Sequence, residues 1–295
     1  MAQSAKKRRK KPGARDSIIA VLAAGVLITV ALAISLTAIN RKSAQPVTVS
    51  HPVASRSTDS QPVVSRGTLV FVIDDAGNSL LDLEPFLNLD IPLTIAVLPG
   101  LPHSAESARR VRSAGKEVFL HQPMEAIGGQ NPGPGAIMAG MDSEEIRTTI
   151  RQNLEEIGPV AGMNNHTGSR VTMDEQAMET ILAFSMEQGI LFLDSRTTAE
   201  SAVSKVAGRL GMKIGERDIF LDNEPDRESI LKFINMGLQT AEQKSSAIMI
   251  GHVQTSALAA LLSELIPELR NRGFTFSTAS KIINQPRHRA DGAGI

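Results

Sequence analysis

From Thr68 onward, short apolar runs alternate with segments of helical period, and this alternation limits the chain to a small set of folds. The run "LVFVID" (69–74) precedes an irregular stretch, "PLTIAVL" (92–98) precedes "HSAESARRVRSAG" (103–115), and "EVFLH" (117–121) precedes a Gly/Pro loop. A helix is predicted over 142–158, because Ile146, Ile150, Leu154 and Ile157 share a face behind an Asp142 cap, with Glu145 at the capping-box position. There follow "VAGMNNH" (160–166), a helix over 174–188, "ILFLD" (190–194), a helix over 199–210 and "DIFLD" (218–222). A helix over 226–243, "SAIMIGH" (246–252), a helix over 256–272 and "FTFST" (274–278) complete the series. Strands separated by helices form a parallel sheet, either open and doubly wound or closed as a (β/α) barrel. Both architectures collect ligand chemistry at the C-terminal ends of the strands.

Six of the apolar runs end in an ionisable residue: the adjacent pair Asp74 and Asp75, then His121, His166, Asp194, Asp222 and His252. Taken singly, each is an ordinary cap or turn residue. In a parallel sheet all six ends share one face, and that face carries at least three imidazoles and four carboxylates. The other histidines fall elsewhere: His51 and His288 in polar segments, and His103 at a helix start.

Two neighbouring carboxylates repel, and burying either without a partner is costly. The chain has no cysteine, so disulfides and thiolate ligands are excluded. Imidazole and carboxylate without thiolate suit Zn²⁺ or a similar divalent ion, held by three residues with a position open for water. One aspartate of the pair can ligate the ion while the other accepts a proton from the attacking water.

The N-terminus has a different character. "KKRRKK" (6–11) is followed by residues 17–39, which contain no charged side chain and are long enough to cross a bilayer as a helix. The preceding basic block predicts a cytoplasmic segment 1–16, an uncleaved signal anchor at 17–39 and export of everything beyond it. The stretch exceeds a usual signal-peptide core, although "ALA" and "LTA" leave secretion after cleavage as the alternative. Residues 40–67, rich in Ser, Pro, Val and Thr, are expected to be a tether, 68–284 the folded domain and 285–295 a polar tail. With 31 basic and 31 acidic residues, the chain has no global field to attract nucleic acid.

Seven stretches, "FVIDDAG", "TIAVLPG", "EVFLHQPME", "GMNNHTGSR", "LFLDSRT", "IFLDN" and "IGHV", occur in an order that resembles the divergent polysaccharide deacetylases, relatives of carbohydrate esterase family four. The resemblance covers residues 68–284 and implies an α/β fold, a distorted (β/α) barrel of about seven strands. It also implies metal-dependent removal of N- or O-acetyl groups from a sugar. On this pattern Asp74 is the base, Asp75 a metal ligand, His121 a second ligand and His252 the acid toward the leaving group. The usual motif has a second His four residues after the first, where this chain has Glu125. His166 is therefore taken as the third ligand, with Glu125 ranked below it. Asp194 is a candidate to orient His252, and Arg170 or Arg196 to pair with Asp74.

The expected partner is an acetylated glycan of the cell envelope, with the membrane reached through the N-terminal helix. Aromatic residues make up 3% of the chain and all are Phe, so the Trp and Tyr platforms common in sugar sites are excluded. A catalytically inactive glycan- or protein-binding module on the same fold is the alternative, and cleavage of another amide or a phosphoester is a third possibility. Retention of Asp74 beside Asp75, together with His252, favours an enzyme, since binding alone needs neither a base nor an acid. "GGQNPGPG" (128–135) is either a substrate-facing loop or a plain surface connection.

Overall fold

Every residue from Leu69 to Ile73 is fully or nearly fully buried, as expected of a strand covered on both faces. The computed structural model describes residues 65–285. The basic segment, the apolar stretch 17–39, nearly all of the tether and all but the first residue of the tail lie outside the described residues. Among the described residues, no helix is long and apolar enough to cross a membrane.

The strands are β1 (Gly67–Ala76), β2 (Thr94–Val97), β3 (Glu117–Met124), β4 (Gly162–Thr167), β5 (Leu191–Asp194), β6 (Ile214–Glu216), β7 (Ile219–Phe220), β8 (Ser246–His252) and β9 (Phe274–Ser277). All pairings are parallel, in the order β6-β5-β4-β3-β2-β1-β8-β7, and β9 pairs with β1. β1 is the hub: it pairs with β8 from Thr68↔Ser246 to Asp74↔His252, with β9 along its first half and with β2 along its second. The sheet curls into an open barrel whose two edge strands, β6 and β7, are not paired with each other.

The helices are α1 (Leu80–Leu87), α2 (Ser104–Ser113), α3 (Ser143–Ile157), α4 (Glu175–Glu187), α5 (Val203–Leu210), α6 (Arg227–Lys244), α7 (Ser256–Asn271) and α8 (Ala279–Asn284). α3 starts as its sequence predicts: Asp142 accepts from Glu144 N and Glu145 N, and Glu145 Oε2 accepts from Asp142 N. The described residues form nine strands, of which β6 and β7 are short pieces of three and two residues, in keeping with the barrel of about seven strands that the resemblance implies. The stretch after "LVFVID" is not irregular but forms α1, started by the Ser79 hydroxyl accepting from Asp82 N.

Two apolar clusters divide the strand side chains by parity. Leu69, Phe71 and Ile73 of β1 join the large cluster under the helices, whereas Val70 and Val72 join a smaller cluster with Ala96, Phe119, Leu193, Ile248 and Ile250. Ala279 and Ile283 of α8 complete the smaller cluster, which is the barrel interior. Side chains alternate along a strand, so residues in phase with the smaller cluster reach the barrel mouth.

Candidate metal centre and active site

That parity selects the site. Asp74 continues the phase of Val70 and Val72, His121 that of Phe119, and His252 that of Ile248 and Ile250. Asp75 falls in the opposite phase and should face the helices. It does not, because the β1–β2 register gains a residue between Ile73 and Ala76 and Asp75 adopts a left-handed backbone, φ 65°. A bulge of this kind re-aims a side chain. Thr167 and Arg196, which end β4 and follow β5, also have φ of 51°. Left-handed non-glycine residues cost about 1–3 kcal/mol each and gather at sites that the surrounding structure over-determines.

Asp75 Oδ1 lies 3.2 Å from His121 Nε2 and 2.9 Å from His166 Nδ1, and these two nitrogens are 3.2 Å apart. Donors held about 2.0–2.2 Å from a common zinc ion are roughly 3 Å from one another. Asp75 Oδ1 is buried and faces the two imidazole nitrogens without a hydrogen bond of good geometry, an arrangement that a cation resolves. The donor set, two imidazoles and one carboxylate, also suits a divalent ion. The other oxygen, Oδ2, accepts from Gln254 Nε2 at 2.9 Å. Burial opposes ionisation of Asp75, but the two imidazoles outweigh it and hold the carboxyl far below the usual range.

Asp74 is 2% exposed, and its carboxylate accepts from Asn164 Nδ2 at 2.9 and 3.1 Å. Burial pushes its carboxyl up against the pull of His121 and His252. His121 is equally buried, and Asp74 and Asp75 raise it although burial alone would lower it. His252 Nδ1 meets Asp222 Oδ1 at 2.9 Å, and its backbone N–H donates to Asp222 Oδ2 at 2.8 Å. Burial works to lower His252, yet the bond to Asp222 and the neighbouring carboxylates win and hold it at about 9.

Asp74, His121, His166 and His252 line one cavity of about 170 Å³ with Ser195 and Phe220. The Phe220 ring stacks on His252 with centroids 5.9 Å apart. A larger cavity of about 490 Å³ lies near the start of β8, beside α8, and is bordered by none of Asp74, Asp75, His121, His166, Asp194, Asp222 and His252.

Three expectations about supporting residues are corrected. Asp194 does not orient His252; it follows Leu193 of the interior, so its side chain faces the other way, accepting from Arg196 N at 2.8 Å and Ser201 Oγ at 2.7 Å. Asp222 takes that place. Arg170 pairs with Glu125 at 3.3 Å, and Arg196 lies 3.9 Å from Glu216, so neither guanidinium is paired with Asp74. Glu125 is not among the three grouped ligands, since its Oε2 accepts from Ala139 N at 2.8 Å. The Gly/Pro loop is tied down at its end, where Gly135 O accepts from the buried Gln122 and Asn153 amides.

Sequence reasoning missed Asn164, Gln254 and Arg217. Arg217 donates to the carbonyls of Ser195 and Arg196 and lies 3.7 Å over the Phe220 ring, bridging the open seam between the β5 and β7 sides of the mouth. Asn164 had one visible signal, its position two residues before His166 in the same strand phase.

The divergent polysaccharide deacetylase model matches residues 71–283, which is most of the chain and all but the outermost described residues. The chain belongs to this family. An uncharacterized Escherichia coli protein, YibQ, is 29% identical over 231 residues, covering 77% of this chain and 70% of the relative. An uncharacterized Haemophilus influenzae protein is 28% identical over 206 residues, covering 69% and 74% respectively. The crystal structure of an uncharacterized Agrobacterium tumefaciens protein superposes with a TM-score of 0.67 at 24% identity, covering 74% of this chain and 90% of that one. This structural match supports the same curled parallel barrel.

Proposed function

We propose that this deacetylase-family member is a metal-dependent hydrolase that removes acetyl groups from a polysaccharide of the cell envelope. The observation that carries the reading is the triangle of Asp75 Oδ1, His121 Nε2 and His166 Nδ1, closed within 3.2 Å and bordered by Asp74 on the same strand. A divalent ion held there, with Zn²⁺ the best fit to the donors, supplies Lewis-acid polarisation of the acetyl carbonyl and acidifies the attacking water. Asp74 accepts the proton of that water, its carboxylate held by Asn164. His252, kept protonated near neutral pH by Asp222, donates to the departing nitrogen or oxygen. Phe220 gives the cavity an apolar wall beside His252, and the small volume suits a single acetylated residue of a larger substrate.

The basic block and the charge-free segment 17–39 support an anchored protein with a cytoplasmic N-terminus, its domain 68–284 carried outside on the tether 40–67. The test is metal content of the purified protein with His121→Ala and His166→Ala variants, alongside acetate release from N- and O-acetylated glycans. The expected result is about one equivalent of a divalent ion, lost in both variants together with acetate release. No metal after reconstitution with several divalent ions would sink the hydrolase, leaving a glycan- or protein-binding module on the same fold.

A further inference from the structure

A buried amide must satisfy both of its ends. Asn164, fully buried on β4, does so entirely within the site. Its Oδ1 lies 2.9 Å from His121 Nδ1, and its Nδ2 lies 2.9 and 3.1 Å from the two Asp74 oxygens. Nδ2 also reaches Ser195 Oγ at 3.3 Å. Turning the amide over would set its oxygen against the Asp74 carboxylate, which in the ionised form required of a base has only acceptors to offer. The amide nitrogen therefore faces Asp74 and the oxygen faces His121. An amide oxygen can only accept, so the imidazole nitrogen opposite it carries the hydrogen. In neutral His121 the other nitrogen, Nε2, is then a bare lone pair, and Nε2 is the atom in the triangle with Asp75 and His166.

We propose that Asn164 is a positioning residue serving both halves of the site through one amide. Its oxygen fixes His121 as the Nδ1–H tautomer, with Nε2 free to ligate, and its NH₂ group holds the Asp74 carboxylate in place. The two roles link β4 to β3 and β1, strands that bring the ligand and the base from 47 positions apart in the chain. This inference rests on the metal-dependent reading above, and its test separates the two.

The measurement is the tautomer of His121 in metal-free full-length protein labelled with ¹⁵N-histidine, read by long-range ¹⁵N–¹H correlation and assigned with His121→Ala. The pH is raised until the ring is neutral, because Asp74 and Asp75 favour its imidazolium. The expected result is hydrogen on Nδ1; hydrogen on Nε2 overturns the proposal. Zn²⁺ titrations of Asn164→Leu and Asn164→Asp add a second readout. Asn164→Leu should lose about 10–100-fold in Zn²⁺ affinity. Asn164→Asp, which keeps an acceptor for Nδ1–H, should lose less Zn²⁺ affinity than Asn164→Leu. Asn164→Leu should also lose acetate release, since it cannot donate to Asp74. Unchanged Zn²⁺ affinity in a folded Asn164→Leu variant would also overturn the proposal, and if that variant does not fold the wild-type tautomer still decides. A wild type with Nδ1–H and tight zinc but no acetate release would sink the deacetylase reading and leave the role of Asn164 intact.

Discussion

Replacing Asp222 by Asn tests the acid side of the site without touching the ligand triangle. Asp222 holds His252 twice, at Nδ1 and at the backbone N–H, and His252 is held at about 9 against an ordinary 6.5. Such a displacement corresponds to roughly 3 kcal/mol between the two protonation states. About a third of the His252 side chain is exposed, so solvent screening reduces the expected contribution to roughly 1–2 kcal/mol. Because the folded value is raised, this stability is fully present below about pH 6.5 and disappears as pH rises through about 9. In Asp222→Asn the neutral amide keeps an acceptor but loses the charge, and the His252 midpoint should fall to about 7–8. The assay is an NMR titration of the metal-free protein, paired with thermal unfolding at pH 6 and pH 10. The wild type should lose more stability than the variant between those two pH values. A wild-type His252 that titrates near 6.5, or a midpoint unmoved in Asp222→Asn, refutes the reasoning.

Other perturbations separate structural from chemical roles. Asp194→Ala should leave the His252 titration unchanged yet cost about 1–3 kcal/mol, because it strips the acceptor from the left-handed Arg196 N–H and from Ser201 Oγ; urea unfolding measures the cost. Asp142→Ala removes the cap of α3 and should destabilise by about 1 kcal/mol in the same assay. Gly162→Ala puts a methyl group 2.6 Å from the Phe119 ring and 2.9 Å from Leu191 O, so about 1–3 kcal/mol of overpacking should appear as a lowered Tm.

How far the sequence could lead is set by what repeats along a strand and what does not. The strand and helix alternation was legible because β1, β3 and β8 are long apolar runs and α3 carries its own cap. β6 and α8 escaped because three- and six-residue elements are too short to show a period. The strand-end residues were also legible as a group, but their orientation was not. Strands of a parallel barrel are apolar on both faces, so nothing in "LFLD" or "IMIGH" tells which parity looks inward. Asp194 and His252 end their strands in the same way, yet one faces the helices and the other the mouth. The register of neighbouring strands decides between them, and register is a property of the assembled sheet. Asp75 makes the same point in reverse, since its parity is wrong and one extra residue with a left-handed backbone corrects it. The guanidinium pairings failed for a further reason: Arg170 and Arg196 are long enough to reach several carboxylates, and nearer ones claimed them. What holds Asp74 is instead a short amide that fits a fully buried position without carrying charge into it. A buried guanidinium there would need acceptors for five donors, whereas Asn164 needs only the groups the site already requires.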